Sequence, residues 1–204
     1  EGYVLVLFVY SFTFGGFVGL ASFLVIFFHD QYGLAKVMAG NFTALCVCAG
    51  SFLRPVGGYL ADRFGGTRIL KVLFVSASLC LLGVGMLPPL WLATAFLFLI
   101  MACLGMGNGS VFQLVPQRFR HEIGVATGVV GAAGGLGGFL LPSFLGLTKE
   151  LTGSYGVGLL CFGIAGLICM VLLSLVQREW RASWLNVAII KEPIPATCLS
   201  GSQV

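Results

Sequence analysis

Charge is what this 204-residue chain has least of: Asp, Glu, Lys and Arg together make up 9% of it, against about 25% in soluble domains. So thin a polar coat cannot cover a water-soluble globule, which excludes an ordinary soluble enzyme or binding domain. No run of basic residues interleaved with aromatics occurs, so nucleic acid is not an expected partner. Histidine is present twice, as His29 and His121, and neither lies beside a cysteine. Of the seven cysteines, Cys46, Cys48, Cys80, Cys103, Cys161 and Cys169 fall inside apolar stretches and read as small core residues, with Cys198 near the end. Cys46-x-Cys48 lacks the second pair that a metal or redox motif needs, so neither a metal site nor a disulfide is expected. There is no nucleophile with a positioned base and no phosphate-cradling strand-loop-helix, so the chain does not read as an enzyme and implies no cofactor. A signal peptide is not evident, because the first apolar stretch has no basic flank and more of the same kind follow.

What is abundant is apolar. Hydrophobic residues make up 58%, with 30 glycines and 18 phenylalanines, a composition in which small residues let helices approach and large apolar ones face lipid. A helix needs roughly 20 apolar residues to cross the hydrocarbon core. Cutting the chain at its charged or turn-forming clusters leaves Val4–Phe28, Val37–Leu60, Ile69–Leu87, Leu90–Val115, Ile123–Leu147 and Gly156–Val176. The expected fold is all-α, a polytopic transmembrane bundle of six spans with short connections. Arg63, Arg68, Lys71, Arg118, Arg120, Arg178, Arg181 and Lys191 fall on one side of these spans and only Lys36 and Lys149 on the other, so both termini are expected in the cytoplasm, in the plasma or inner membrane. Residues 1–176 then form the transmembrane domain and 177–204 a polar, mostly disordered cytoplasmic tail.

Arg54 breaks the membrane rule. An arginine at the centre of a span costs about 2.5 to 3.5 kcal/mol even on the lenient insertion scale. Eight residues before Asp62, it stands roughly 12 Å below the cytoplasmic end of its helix, too deep for easy snorkelling. No Asp or Glu lies well inside any span, so either the partner is an anionic substrate or a carboxylate on another chain, or the span is misplaced. Pro55 removes a backbone N–H, freeing the Ser51 carbonyl and allowing a bend, and Gly50, Gly57 and Gly58 are expected to add freedom on either side. A guanidinium there offers a planar fork of donors suited to a small planar oxyanion.

Glycine marks the fifth span, where Gly124, Gly128, Gly131, Gly135 and Gly138 fall within an arc of roughly 80° at about 100° per residue. This smooth stripe reads either as small-xxx-small packing or as backbone that approaches a ligand or slides past another helix. In the fourth span Gly105, Gly107, Asn108, Gly109, Ser110 and Gln113 bring amides and a hydroxyl to membrane depth, where they need a cavity or partners. Asn108 or Gln113 could equally join an interhelical hydrogen bond, which leaves a substrate contact the less expected role for either. Tyr10 and Phe14, four apart, share one helical face, a spacing that more often means plain packing. His29 and His121 stand at span ends and read as interfacial.

The second connection reads Gly58-Tyr59-Leu60-Ala61-Asp62-Arg63-Phe64-Gly65-Gly66-Thr67-Arg68, which resembles the major facilitator superfamily loop G-x-L-A-D-R-x-G-x-x-R. With Arg54 ahead of it and Gly131 to Gly138 in the fifth span, residues 1 to 176 resemble the C-terminal six-helix half of the nitrate/nitrite porter family. The resemblance implies half of a major facilitator fold and alternating access to a path between two halves. It implies a small inorganic anion, nitrate or nitrite, as substrate, and the lipid bilayer and an N-terminal six-helix half as partners. Arg54 would match the C-terminal one of two facing arginines, Tyr10 and Phe14 the site-lining pair, and Gly131, Gly134, Gly135, Gly137 and Gly138 the signature helix. Gly135 departs from the asparagine common in that signature. Asp62, Arg63 and Arg68 would form a conformational latch. With six spans and Glu1 rather than Met at its start, the chain is expected to be a fragment, inactive alone. Without a proton-carrying side chain at depth, anion exchange is as plausible as proton symport. A facilitator for an organic anion, sugar or drug is the nearest alternative, followed by a membrane scaffold or sensor subunit.

Overall fold

A computed structural model describes residues 8–118 and 123–190, with side chains outside 112–118, 123, 125, 126 and 176–190. Helices account for all the regular structure among the described residues. A π turn, Ser11–Gly15, leads into α1, Gly16–Tyr32. It is followed by α2, Lys36–Phe64; α3, Gly66–Gly85; α4, Leu90–Arg118; α5, Ile123–Thr152; and α6, Tyr155–Ile190. Six of the resulting segments, beginning with Phe8–Tyr32, are long and apolar enough to cross a membrane. The expected all-α bundle of six spans is therefore found.

Most helices outrun the apolar segments that announce them. Hydropathy marks the thickness of the hydrocarbon, whereas a helix continues until its hydrogen-bond ladder is broken. Glycines with positive φ follow α1 (Gly33, +65°), α2 (Gly65, +91°) and α5 (Gly153, +73°), a conformation that other residues reach only at a cost. Gly65 alone separates α2 from α3, its N–H bonded to the Ala61 carbonyl at 2.9 Å. The last helix continues to Ile190, into the stretch 177–204 expected as a tail, and residues 191–204 lie outside the described residues.

Small residues fix how the helices meet. The most extensive contact joins α2 to α4, backbone against backbone. A methyl group on Gly105 would fall inside the Gly50 carbonyl, one on Gly57 inside that of Met106, and one on Gly109 inside that of Arg54. The Ser110 hydroxyl donates across the same seam to the Gly57 carbonyl at 3.0 Å. The freedom expected at Gly50 and Gly57 is therefore not what those glycines provide: missing side chains there permit contact, and contact removes the freedom. Close approach replaces the hydrophobic driving force that lipid cannot supply between helices.

A second seam joins α5 to the π turn. A methyl on Gly15 would stand 2.7 Å from the Gly137 backbone, and one on Gly137 would stand 2.6 Å from the Ser11 carbonyl. The Ser11 hydroxyl donates to the Ala133 carbonyl at 2.9 Å. The glycine stripe is thus divided by structure. Gly134, Gly137 and Gly138 pack on the first span, while Gly124, Gly128, Gly131 and Gly135 have nothing within 4 Å of a built Cβ.

At the end opposite the Asp62 loop, Lys149 of α5 pairs with Asp30 of α1, and the Tyr155 hydroxyl of α6 donates to the same carboxylate at 2.9 Å. This is the ion pair among the described residues, and it ties three helix ends together. His29 is exposed at the same end, its Nδ1 2.7 Å from the Leu34 carbonyl, and His121 lies outside the described residues. Cys46 is buried and Cys48 exposed, so the two thiols of that motif point apart, and the six described cysteines are free.

The two classes of glycine should respond oppositely to alanine. Gly105→Ala forces α4 off the Gly50 carbonyl and should cost about 1 to 3 kcal/mol, as overpacking does. Gly135→Ala meets open space and should be neutral or stabilising by up to about 1 kcal/mol through helix propensity. Thermal melts of the two purified variants in detergent check both signs.

Candidate functional site

Arg54 lies two-thirds of the way along α2, directly where α2 touches α4. Its backbone is immobilised there, since the Arg54 carbonyl lies against Gly109. Its side chain turns toward the first span. The guanidinium carbon stands 4.7 Å from the centre of the Phe17 ring and 6.0 Å from that of Phe14. Phe14 in turn stacks on Tyr10, centroids 5.2 Å apart and planes within 6°. The π turn between Tyr10 and Gly15 widens the helix locally and brings these rings, four residues apart, into register.

Glycines seat the rings. A methyl on Gly134 would come within 2.7 Å of both Tyr10 and Phe14, so α5 makes room for that pair. A methyl on Gly50 would collide with the Phe17 ring, so the glycine one turn before Arg54 makes room for the ring beneath its guanidinium. Tyr10 and Phe17 are buried, and Phe14 is half-buried.

No carboxylate among the described residues meets this charge. Among the described residues the ion pair is at Asp30, and the Nε of Arg54 is buried without a hydrogen-bond partner. Ring faces stabilise a cation but accept no N–H in its plane, so the guanidinium edge remains available. A cation with unfilled donors in a low-dielectric site attracts an anion, and its planar fork matches an oxyanion with two oxygens in one plane.

Asn108 of α4 is 2% exposed, and neither its Nδ2 nor its Oδ1 has a hydrogen-bond partner. Its neighbours in sequence locate it. Gly107 faces Thr13 of the π turn and Gly109 faces the Arg54 backbone, so Asn108 lies at the junction of the first span, α2 and α4. Ser110, by contrast, is satisfied by the Gly57 and Met106 carbonyls. The side chain of Gln113 lies outside the described residues.

The remaining candidates are elsewhere. Asp62, Arg63 and Arg68 are exposed around the α2–α3 turn, more than a helical turn from Arg54, with Arg63 donating to the Tyr59 hydroxyl at 3.5 Å and lying 5.7 Å from the Phe64 ring centre. Gly131 and Gly135 border open space on α5. Two contributors escaped the sequence reading. Phe17 continues the face of Tyr10 and Phe14 at helical spacing, a signal that was present, whereas Ser11 owes its role to a π turn that composition does not announce.

Comparison with known proteins follows the same lines. The profile described as Major Facilitator Superfamily matches residues 2–142. Over 172 residues the chain is 37% identical to the nitrite extrusion protein of Bacillus subtilis, covering 84% of this chain and 43% of that one. It is 36% identical to the probable nitrate transporter NarT of Staphylococcus epidermidis, covering 84% and 45%, and 36% identical to the probable nitrate/nitrite transporter NarK2 of Mycobacterium tuberculosis, covering 84% and 44%. The chain thus spans less than half the length of these curated relatives. Among solved structures the proton:xylose symporter XylE aligns with a TM-score of 0.65 at 16% identity, over 85% of this chain and 44% of that one, which is a likeness of fold. The matched profile, the six apolar helices and the fold of this solved relative agree: the chain belongs to the major facilitator superfamily, a multi-pass membrane protein family.

Proposed function

We propose that this chain is one six-helix half of a transporter that moves nitrate or nitrite across the plasma or inner membrane by alternating access. The observation that carries the reading is Arg54, a guanidinium at membrane depth whose buried Nε has no partner and which aromatic rings flank. Relatives named for nitrate and nitrite give that charge a substrate of fitting shape. Arg54 binds the oxyanion through its fork, Tyr10 and Phe14 shape the cavity, and Asn108 adds an amide at its edge. A second six-helix half, corresponding to the relatives' remaining length, closes the path and supplies the facing cation.

The open glycines of α5 give that second half a smooth surface to move against, while Gly134, Gly137 and Gly138 hold α5 to its own half. Asp62, Arg63 and Arg68, exposed at the cytoplasmic end, act as a latch by pairing with groups of the other half in one access state. Residues 1–176 are the membrane domain, with both termini cytoplasmic and 177–204 following it as a tail. The acidic group of the first span, Asp30, is engaged by Lys149 and Tyr155. The described residues thus show no free carboxylate at depth, and exchange of one anion for another stands beside proton symport as the coupling.

Nitrate and nitrite uptake into proteoliposomes by this chain joined to a matching N-terminal half tests the reading. Arg54→Lys keeps the charge and loses the fork, and should lower uptake by about ten- to a hundredfold, since charge-assisted hydrogen bonds are worth about 1.5 to 3 kcal/mol. Unchanged uptake would make Arg54 structural and reopen the substrate. In the same assay Asp62→Asn should slow maximal uptake several-fold with little change in the half-saturating concentration. An unaltered maximal rate would remove the latch.

A further inference from the structure

Among the described residues four buried side-chain polar atoms lack partners: Arg54 Nε, Ser78 Oγ, and both Nδ2 and Oδ1 of Asn108. Ser78 belongs to the α3–α6 contact, where its hydroxyl lies against Gly166, on a different seam. The other three atoms belong to one junction. Gly109, which follows Asn108, touches the Arg54 carbonyl, and Gly107, which precedes it, touches Thr13 between Tyr10 and Phe14. An amide left unpaired at 2% exposure loses its solvation without return unless something meets it. The hydroxyls nearest along the chain are committed elsewhere, Thr13 to the Tyr10 carbonyl and Ser110 to the Gly57 and Met106 carbonyls. Among the described residues, Asn108 is therefore an uncommitted side-chain donor on the stretch of α4 that lies against the Arg54 backbone.

Ligand geometry decides what a second donor does. Nitrate presents three equivalent oxygens in a plane; a guanidinium fork takes two and leaves the third needing a donor. Nitrite has two oxygens, and the same fork satisfies both. At the remaining vertex nitrite offers only the lone pair of its nitrogen, one N–O bond length short of the position of the third nitrate oxygen. A donor fixed at that distance meets nitrate and misses nitrite. Asn108 is carried on a helix whose position is set by backbone contact with α2, so only its short side chain, and not its backbone, can adjust toward the smaller anion. The discrimination resembles that of any site built to hydrogen-bond a group that the competing ligand lacks.

We infer that Asn108 sets selectivity for nitrate over nitrite, its amide N–H donating to the nitrate oxygen that the Arg54 fork leaves free. This rests on the anion-binding role of Arg54 proposed above. It assigns the two residues separate tasks: Arg54 holds either anion, and Asn108 tells them apart.

The test measures equilibrium affinities for nitrate and for nitrite with the transporter in which this chain is joined to its N-terminal half, comparing wild type with Asn108→Leu and Asn108→Val. The quantity read is the ratio of the two affinities, which does not depend on the fraction of protein that is folded. Both variants remove the donor at different side-chain volumes, and in both nitrate affinity should fall more than nitrite affinity, lowering the nitrate-to-nitrite ratio about tenfold or more. A ratio that stays at the wild-type value in either variant, or equal weakening of both anions, would overturn the inference and leave Asn108 as a packing or water-binding amide. Wild-type protein that binds neither anion would overturn the reading of Arg54 together with it.

Discussion

Backbone contact between α2 and α4 is the constraint on which the rest depends. Gly50 and Gly57 on one helix and Gly105 and Gly109 on the other bring the two main chains together without intervening side chains. Contact at that distance leaves neither helix free to rotate or slide, and it fixes two polar residues at membrane depth in one stroke. Arg54 is held because its own carbonyl is part of the seam, and Asn108 because it lies between two glycines that touch neighbouring segments. In water such residues could be positioned by a hydrophobic core, but between helices in lipid the precision comes from van der Waals contact and hydrogen bonds like that of Ser110 to Gly57.

The arginine is stabilised without being neutralised. Phe17 lies under the guanidinium and Phe14 beside it, so the charge has favourable ring faces and unfilled in-plane donors. A carboxylate in place of those rings would satisfy the same charge and close the site to anions. The structure instead leaves the deficit open, the arrangement expected where a ligand completes it. Each ring is in turn seated by a missing Cβ, that of Gly50 for Phe17 and that of Gly134 for Phe14 and Tyr10. Glycines from two helices thus shape one aromatic wall.

Much of this was legible in the sequence, and the limits have physical causes. Sparse charge and six apolar runs suffice for a bundle of six spans, because crossing lipid forces every backbone group into a helix. Arg54 declares itself by its cost, and Tyr10 and Phe14 by their spacing. The glycines were harder. Their pattern on α5 suggests one face, yet the structure uses Gly134, Gly137 and Gly138 for packing and leaves Gly131 and Gly135 open, since which arc meets a neighbour depends on tertiary placement. Gly50 and Gly57 look like sources of freedom until Gly105 and Gly109 are seen opposite them. The π turn at Ser11–Gly15, which sets the ring stack and the Ser11 bond to α5, leaves no mark in composition.

On the proposed function, a guanidinium fork on an anchored stretch of backbone, an aromatic wall and the Asn108 amide would together receive one planar anion. The proposed function requires the Arg54 guanidinium to grip that anion in its plane through two oxygens. Infrared difference spectra of isotopically labelled nitrate bound to the transporter address this directly. In free nitrate the antisymmetric N–O stretches are degenerate, and a two-point contact along one edge lifts that degeneracy. The account predicts a pair of bands split more widely than in water, with the splitting lost in Arg54→Lys. A bound nitrate whose band is no more split than in water, or a splitting that persists in Arg54→Lys, would contradict it.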